Sequence, residues 1–186
     1  GTSFLLGKEE RALFDSAIGV RDEPHRPRGL RSRAFDGEGL PTAARDIVAD
    51  GRITGWLLDT ASAKQLGLEP TGHASRGGGA SGVSASNLHL AAGSITPDAL
   101  IADIDRGVYI TELIGQGVNP VTGDYSRGAS GFLIEGGRIA GPIAEFTIAG
   151  NLIDMFAALV PADDLVFRHG TNVPTLRIDG MTVASS

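Results

Sequence analysis

The chain has 186 residues, a formal net charge of −6 and no cysteine, which excludes disulfides, thiolate metal sites and cysteine nucleophiles within it. Its 27 glycines disfavour an all-helical bundle, because each interior glycine costs a helix about 1 kcal/mol relative to alanine, and no apolar run approaches the roughly 18 residues of a membrane span. The acidic balance argues against a nucleic-acid backbone binder, which concentrates basic residues on one face.

A length of this order corresponds to one domain, so residues 1–186 read as a single unit. The opening Gly-Thr-Ser-Phe-Leu-Leu has no initiator Met and no signal-peptide pattern, and reads as the start of a piece of a longer chain. Glu9 to Ala17 reads as a short helix with Leu13 and Phe14 inward, followed by a strand from Ala17 to Arg21. Pro24 to Pro41 is built of turn formers and arginine, which predicts a long irregular loop. Its Arg26, Arg28, Arg31 and Arg33 are interrupted by Pro27, Gly29 and Ser32 and read as solvated loop charges. Arg45–Ala49 and Arg52–Leu58 flank Asp50-Gly51, a pair tolerant of positive φ that predicts a type I′ hairpin.

Ala61–Leu66 reads as a helix stopped by Gly67, and Leu88–Ala91 as a short strand. Thr96 is a natural N-cap, with Pro97 at the first helical position, for a helix through Ile104. Val108–Ile114 is a strand; Tyr125–Glu135 and Arg138–Ala149 form a second hairpin about Gly136-Gly137. Ala144, Phe146 and Ile148 alternate with Glu145 and Thr147, the pattern of a half-buried strand. Asn151 caps a helix bearing Leu152, Met155, Phe156, Leu159 and Val160 and ending at Pro161. Thr175–Val183 reads as one last strand. The fold class is therefore α+β, mainly antiparallel β with three or four short helices.

Four patterns carry candidate chemistry. His25, His73, His89 and His169 show no local ligand spacing, and a metal site of three or four ligands at fixed geometry is not indicated; they read as structural or solvated histidines. Gly77-Gly78-Gly79-Ala80-Ser81-Gly82 satisfies G-x-G-x-x-G, but the strand before and helix after that a dinucleotide site requires are missing, so it reads as a Gly/Ser loop. Asp163 and Asp164 are adjacent and take loop or capping roles. Ser126 and Ser130 lie in a run of Ser, Gly and Ala without the nucleophile elbow G-x-S-x-G. Small residues in a strand permit close backbone approach, as when a peptide adds to a sheet.

Phe35-Asp36-Gly37-Glu38-Gly39, Asp59 to Gly67, Thr71 to Arg76, Asn87-Leu88, the string Gly117 to Gly131, Thr147 to Leu152, Pro174 and Met181 to Ala184 occur in this order. Together they resemble the C-terminal half of the TldD/PmbA family, on its PmbA (TldE) side, from about Phe4 to Ala184. The resemblance implies a cytoplasmic prokaryotic protein of a family once named for modulation of DNA gyrase and now read as a two-subunit metalloprotease acting on peptides and unfolded segments. In that family the TldD-like subunit holds zinc through a His-Glu-x-x-x-His type motif and a late Cys. This chain has no His-Glu string, and Asp164 to Gly170 offers no Cys; the family's N-terminal half, where the paired histidines would fall, is absent from these residues.

The resemblance thus implies a non-catalytic domain that pairs with a TldD-like zinc subunit and shapes a peptide channel in proteolysis and peptide maturation. No cofactor is expected in this chain, zinc is expected in the partner, and neither nucleic acid nor membrane is an expected partner. The expected peptide contacts are Asn119, Asp124, Tyr125, Ser126, Gly128, Ser130 and Gly131, with no catalytic and no metal-binding residue. The rival readings are an autonomous hydrolase using Ser126 or Ser130 with His73 or His169, and a regulator that binds DNA gyrase.

Overall fold

The computed structural model describes residues 3–8, 11–77 and 82–185. In chain order the described elements begin with β1 (Val20–Asp22), β2 (Arg45–Ala49), β3 (Arg52–Ile53), α1 (Thr60–Leu66), β4 (Ala74–Ser75), β5 (Gly82–Val83), β6 (Leu88–Leu90) and α2 (Pro97–Ile101). They continue with β7 (Arg106–Ile114), β8 (Asp124–Glu135), β9 (Arg138–Asn151), α3 (Leu152–Ala157), β10 (Leu159–Pro161), β11 (Thr171–Asn172), β12 (Leu176–Ile178) and β13 (Thr182–Ser185). Two larger sheets organise them, ordered β11-β6-β1-β2-β3 and β13-β9-β8-β7. Among the described strands every pairing is antiparallel except β11 with β6. This is the α+β, mainly antiparallel class expected from the glycine content, with three short helices among the described residues. None of these helices is long and apolar enough to cross a membrane.

Local chemistry explains the sharpest features. Asp50 (φ 50°) and Gly51 (φ 71°) turn β2 into β3, and Gly136 (φ 53°) and Gly137 (φ 75°) turn β8 into β9; both pairs have the positive φ that a tight hairpin demands. Asp59 caps α1 by accepting from Ser62 N at 2.8 Å, and Gly67 ends it in the left-handed region. Thr96 caps α2 through Ala99 N, and Asn151 caps α3 through Ile153 N.

Several expected elements are corrected. Over residues 11–17 there is no helix: Leu13 N and Phe14 N both donate to Gly51 O, so the β2–β3 turn takes the amides a helix would use. Residues 9 and 10 of that expectation lie outside the described residues. The first strand is Val20–Asp22 rather than Ala17–Arg21, β3 stops at Ile53 rather than Leu58, β6 stops at Leu90, and α2 stops at Ile101 rather than Ile104. The helix after Asn151 ends at Ala157 because Leu159–Pro161 pairs with β12. The single strand expected over Thr175–Val183 is two, separated at Gly180 (φ 81°), with β12 joined to β10 and β13 to β9. Of the Gly-rich run, 78–81 lie outside the described residues; the segment beyond them is a strand, β5.

The core has two parts. Leu13, Ile18, Val48, Ile53, Leu90 and Leu159 are buried together, with Phe14 stacked on Phe156 at 4.5 Å between ring centroids. Ala129, Phe146 and Ile148 are buried on one face of the second sheet, joined by Ile110, Tyr125 and Ile143.

A polar knot is buried as well. Asp22 is 0% exposed; it accepts from Ser86 N at 2.8 Å and Ser86 Oγ at 2.7 Å, and lies 3.1 Å from His73 Nε2. His73 Nδ1 is 2.9 Å from Thr71 Oγ1. Asp36, also buried, accepts from the amides of Glu38, Leu40 and Ala74 at 2.9, 2.9 and 3.0 Å. Desolvation raises the Asp22 carboxyl, but hydrogen bonds from His73 and Ser86 outweigh it and hold its pKa below the ordinary aspartate value. Asp36 is lowered in the same way, burial raising it and three backbone amides lowering it more.

Because both folded-state values lie below the unfolded ones, the stability they contribute is complete above the ordinary aspartate range and lost as pH falls through the folded values. Asp22→Asn should lower stability at pH 7 by about 2 kcal/mol, the scale of a buried hydrogen bond to a charged group. It should also flatten the loss of stability between pH 5 and pH 2, read as urea midpoints across that range. A variant whose acid limb ran parallel to the parent's would contradict this assignment.

Candidate functional site

The residues singled out in the sequence lie along one strand and the loop that feeds it. Asn119 closes that loop: its Oδ1 accepts from Val121 N at 3.0 Å, its amide donates to Asp124 O, and its carbonyl accepts from Gly123 N. Asp124 accepts from Thr122 Oγ1 at 2.6 Å and from Asn151 Nδ2 at 3.1 Å; these two hydrogen bonds, Thr122 first, keep its carboxyl below the usual aspartate value. Asn151 also caps α3, so one side chain joins the loop, the start of β8 and the start of a helix. In the sequence Asn151 reads as a cap; its position opposite Asp124 comes from a pairing across the whole β8–β9 hairpin.

In an antiparallel ladder, directly paired residues share a face. Tyr125, Arg127 and Ala129 pair with Gly150, Ile148 and Phe146 and belong to the buried face; Tyr125 packs on the apolar cluster there. Ser126 and Gly128 pair with Ala149 and Thr147, and β13 sets Thr182 and Ala184 opposite those two. Ser130 pairs with Glu112 of β7. The opposite face is therefore a shelf of small side chains in which Ser126, Thr147, Thr182 and Ala184 are exposed.

Room for another backbone beside β8 is not available. Both of its edges are hydrogen-bonded, to β7 and to β9, and a Cβ at Gly131 would collide with Tyr109 O of β7. The glycine lets the chain's own neighbouring strand approach, so a peptide would reach β8 across its open face, or reach the sheet along the outer edge of β7. The β9 pattern is also altered. Glu145 has φ 58° in a bulge where β9 advances by three residues between Phe146 and Ile143 while β8 advances by two. The extra residue reverses the alternation, so Ile143 packs inward and Ala144 is exposed, contrary to the expected pattern.

The serine–histidine reading finds no geometry. Both ring nitrogens of His73 are occupied, by Thr71 and Asp22, and the ring is 2% exposed. Among the described residues neither Ser126 nor Ser130 makes a side-chain hydrogen bond to an imidazole. Thr71, His73 and Asp22 line up like a hydroxyl, a base and an acid. The Thr71 hydroxyl, however, is engaged by the backbone of Leu58 as well, and the array ties segments together. Asp164 accepts from both Thr175 N and Thr175 Oγ1, the loop role expected for it. His25 bonds Thr42, and His89 packs edge-on against Phe167. Among the described residues no three His, Cys, Asp or Glu side chains are grouped to hold a metal ion.

The family model for the PmbA/TldA metallopeptidase C-terminal domain matches residues 1–185. The chain belongs to that family. It is 39% identical over 184 residues to the metalloprotease PmbA of Escherichia coli O157:H7, covering 98% of this chain and 39% of that protein. It is 40% identical over 186 residues to the metalloprotease PmbA homolog of Haemophilus influenzae, covering 100% of this chain and 40% of the relative. Its fold is similar to the crystal structure of TldE from Thermococcus kodakarensis, with a TM-score of 0.85 at 27% identity over 97% of this chain and 42% of that one. The chain spans about two-fifths of the length of the curated relatives it matches.

The close approach at Gly131 makes a prediction for this PmbA/TldA domain. Gly131→Ala should cost about 2 kcal/mol, the scale of core overpacking, whereas Gly141→Ala, with nothing within 4 Å of its Cβ, should stay within about 0.5 kcal/mol. Paired urea unfolding curves decide it, and equal costs would show that β7 is free to move away.

Proposed function

We propose that this chain is the C-terminal domain of a PmbA/TldE-type subunit of a cytoplasmic two-subunit metallopeptidase. It pairs with a TldD-like subunit that carries the zinc, and it shapes the channel in which peptides or unfolded segments lie during proteolysis and peptide maturation. The observation that carries this reading is a match over the whole chain to relatives named PmbA, at 39% and 40% identity, joined to the fold of a solved TldE. The open face supports it: small side chains let an extended substrate come close to the sheet, and flanking Ser and Thr hydroxyls offer hydrogen bonds in either sense. Ser126, Gly128 and Ser130 are the contacts on that face, and Asn119 and Asp124 stiffen the loop at its end. Tyr125 and Gly131 act indirectly, one by packing beneath the shelf and the other by setting its bend. In this assignment the chain binds and orients while the partner's metal supplies the hydrolytic chemistry.

The test is co-expression of the full-length protein containing this domain with its TldD-like counterpart. The two should purify together, and peptide cleavage should require both. Ser126→Trp and Ser130→Trp should each reduce cleavage about tenfold, equivalent to ~1.4 kcal/mol of transition-state stabilisation, with pairing and zinc content unchanged. Failure of the subunits to associate, or full cleavage by the TldD-like subunit alone, would remove this reading.

A further inference from the structure

The loop between β1 and β2 faces the segment between β10 and β11 across a cleft of about 280 Å³ whose walls include Arg26, Arg28, Leu30, Phe167, Arg168 and His169. Three arginines and a histidine thus line one cleft in a chain of net charge −6. Arg26 is accounted for: it lies 3.2 Å from the Phe167 ring centroid and 2.7 Å from Glu23 Oε2. Glu23 is shared with Arg21 at 3.6 Å, so the nearby carboxylate is already engaged. Arg28 and Arg168 have no side-chain hydrogen bond or ion pair among the described residues. Arg31 adds to the same charge, its side chain lying over buried Gly170 where any Cβ would displace it.

Both walls are held by buried amides. Asn87, 2% exposed, accepts from Arg31 N and donates to Glu23 O and Ser32 Oγ. Asn172, 5% exposed, accepts from Arg168 N and His169 N and donates to His169 O. Walls fixed in this way hold these cationic residues around one cleft. An oxyanion seated there would meet planar guanidinium forks suited to paired oxygens. A cleft formed in advance avoids the cost of ordering loops on binding. Its volume lies just below the roughly 300–1,000 Å³ of drug-sized ligand pockets, which fits a small group.

We propose that this cleft is a binding site for a small oxyanion, a phosphate or a carboxylate group. It is built on the first sheet, away from the shelf on β8, and stands independently of the peptidase reading. The test titrates the chain with inorganic phosphate and, separately, with a tripeptide bearing a free or an amidated C-terminus, followed by NMR of the arginine Nε–H resonances and by calorimetry. The expected result is saturable binding that shifts Arg28 and Arg168 and weakens at least tenfold in the double variant Arg28→Gln, Arg168→Gln. Arg138→Gln, on the β8–β9 hairpin, should leave it unchanged. Both targeted arginines are exposed, and circular dichroism checks that the variant remains folded. Response to phosphate identifies a phosphate-bearing ligand; response to the free tripeptide but not its amide identifies a carboxylate. Absence of saturable binding by either, or binding unchanged in the double variant, overturns the proposal.

Discussion

Asp22 is a carboxylate with no solvent exposure, and burial on those terms is tolerable only when its oxygens are met by donors. Here Ser86 supplies two and His73 contacts the third position, so three segments far apart in sequence are obliged to meet at one point. His73 carries the connection on to Thr71 and through it to Leu58. Asp36 repeats the device, gathering Glu38, Leu40 and Ala74. The long stretch between β1 and β2 has almost no regular secondary structure, yet buried acids tie it down at its start, through Asp22, and in its interior, through Asp36. The cleft lined by Arg26 and Arg28 is held by a different pair of buried groups, Asn87 and Asn172.

The second sheet depends on a steric constraint. Gly131 brings the backbone of β7 so close that no side chain fits between. On either side of this level the neighbouring strands accommodate the approach, β7 with an extra residue at Thr111 and β9 with its bulge at Glu145. Bulges increase local twist and re-aim side chains, and here they leave Ser126, Gly128 and Ser130 on an open face while Ala129, Phe146 and Ile148 fill the other. The glycines and serines that first look like an invitation to a foreign strand are explained by the chain's own neighbours. A partner of this sheet has the face they expose and the outer edges of β7 and β13 to use.

The elements legible in advance share a short range. Asp50-Gly51, Gly136-Gly137, the caps Thr96 and Asn151 and the stop at Gly67 all act within a few residues, and each is where the residue types place it. The misread elements failed where a distant partner intervened: β12 took Leu159–Pro161 out of a helix, and Gly51 took the amides of Leu13 and Phe14. The sequence reads the arginines of the first loop as solvated charges, and Arg28 and Arg31 are exposed; only the return of residues 167–172 alongside β6 sets Arg26 and Arg28 with Arg168 around one cleft.

What the amino-acid order determined alone was the class of fold, its turns and caps, its membership of a peptidase family and the strand on which small residues gather. Those follow from backbone freedom, local hydrogen bonding and a pattern of residues in order. What tertiary structure decided was which groups are satisfied and which remain available: that His73 is spent on Asp22, that β8 has no free edge, and that Arg28 and Arg168 line one cleft with no side-chain partner among the described residues. Pairings between residues tens of positions apart depend on register and burial, and no local preference encodes them.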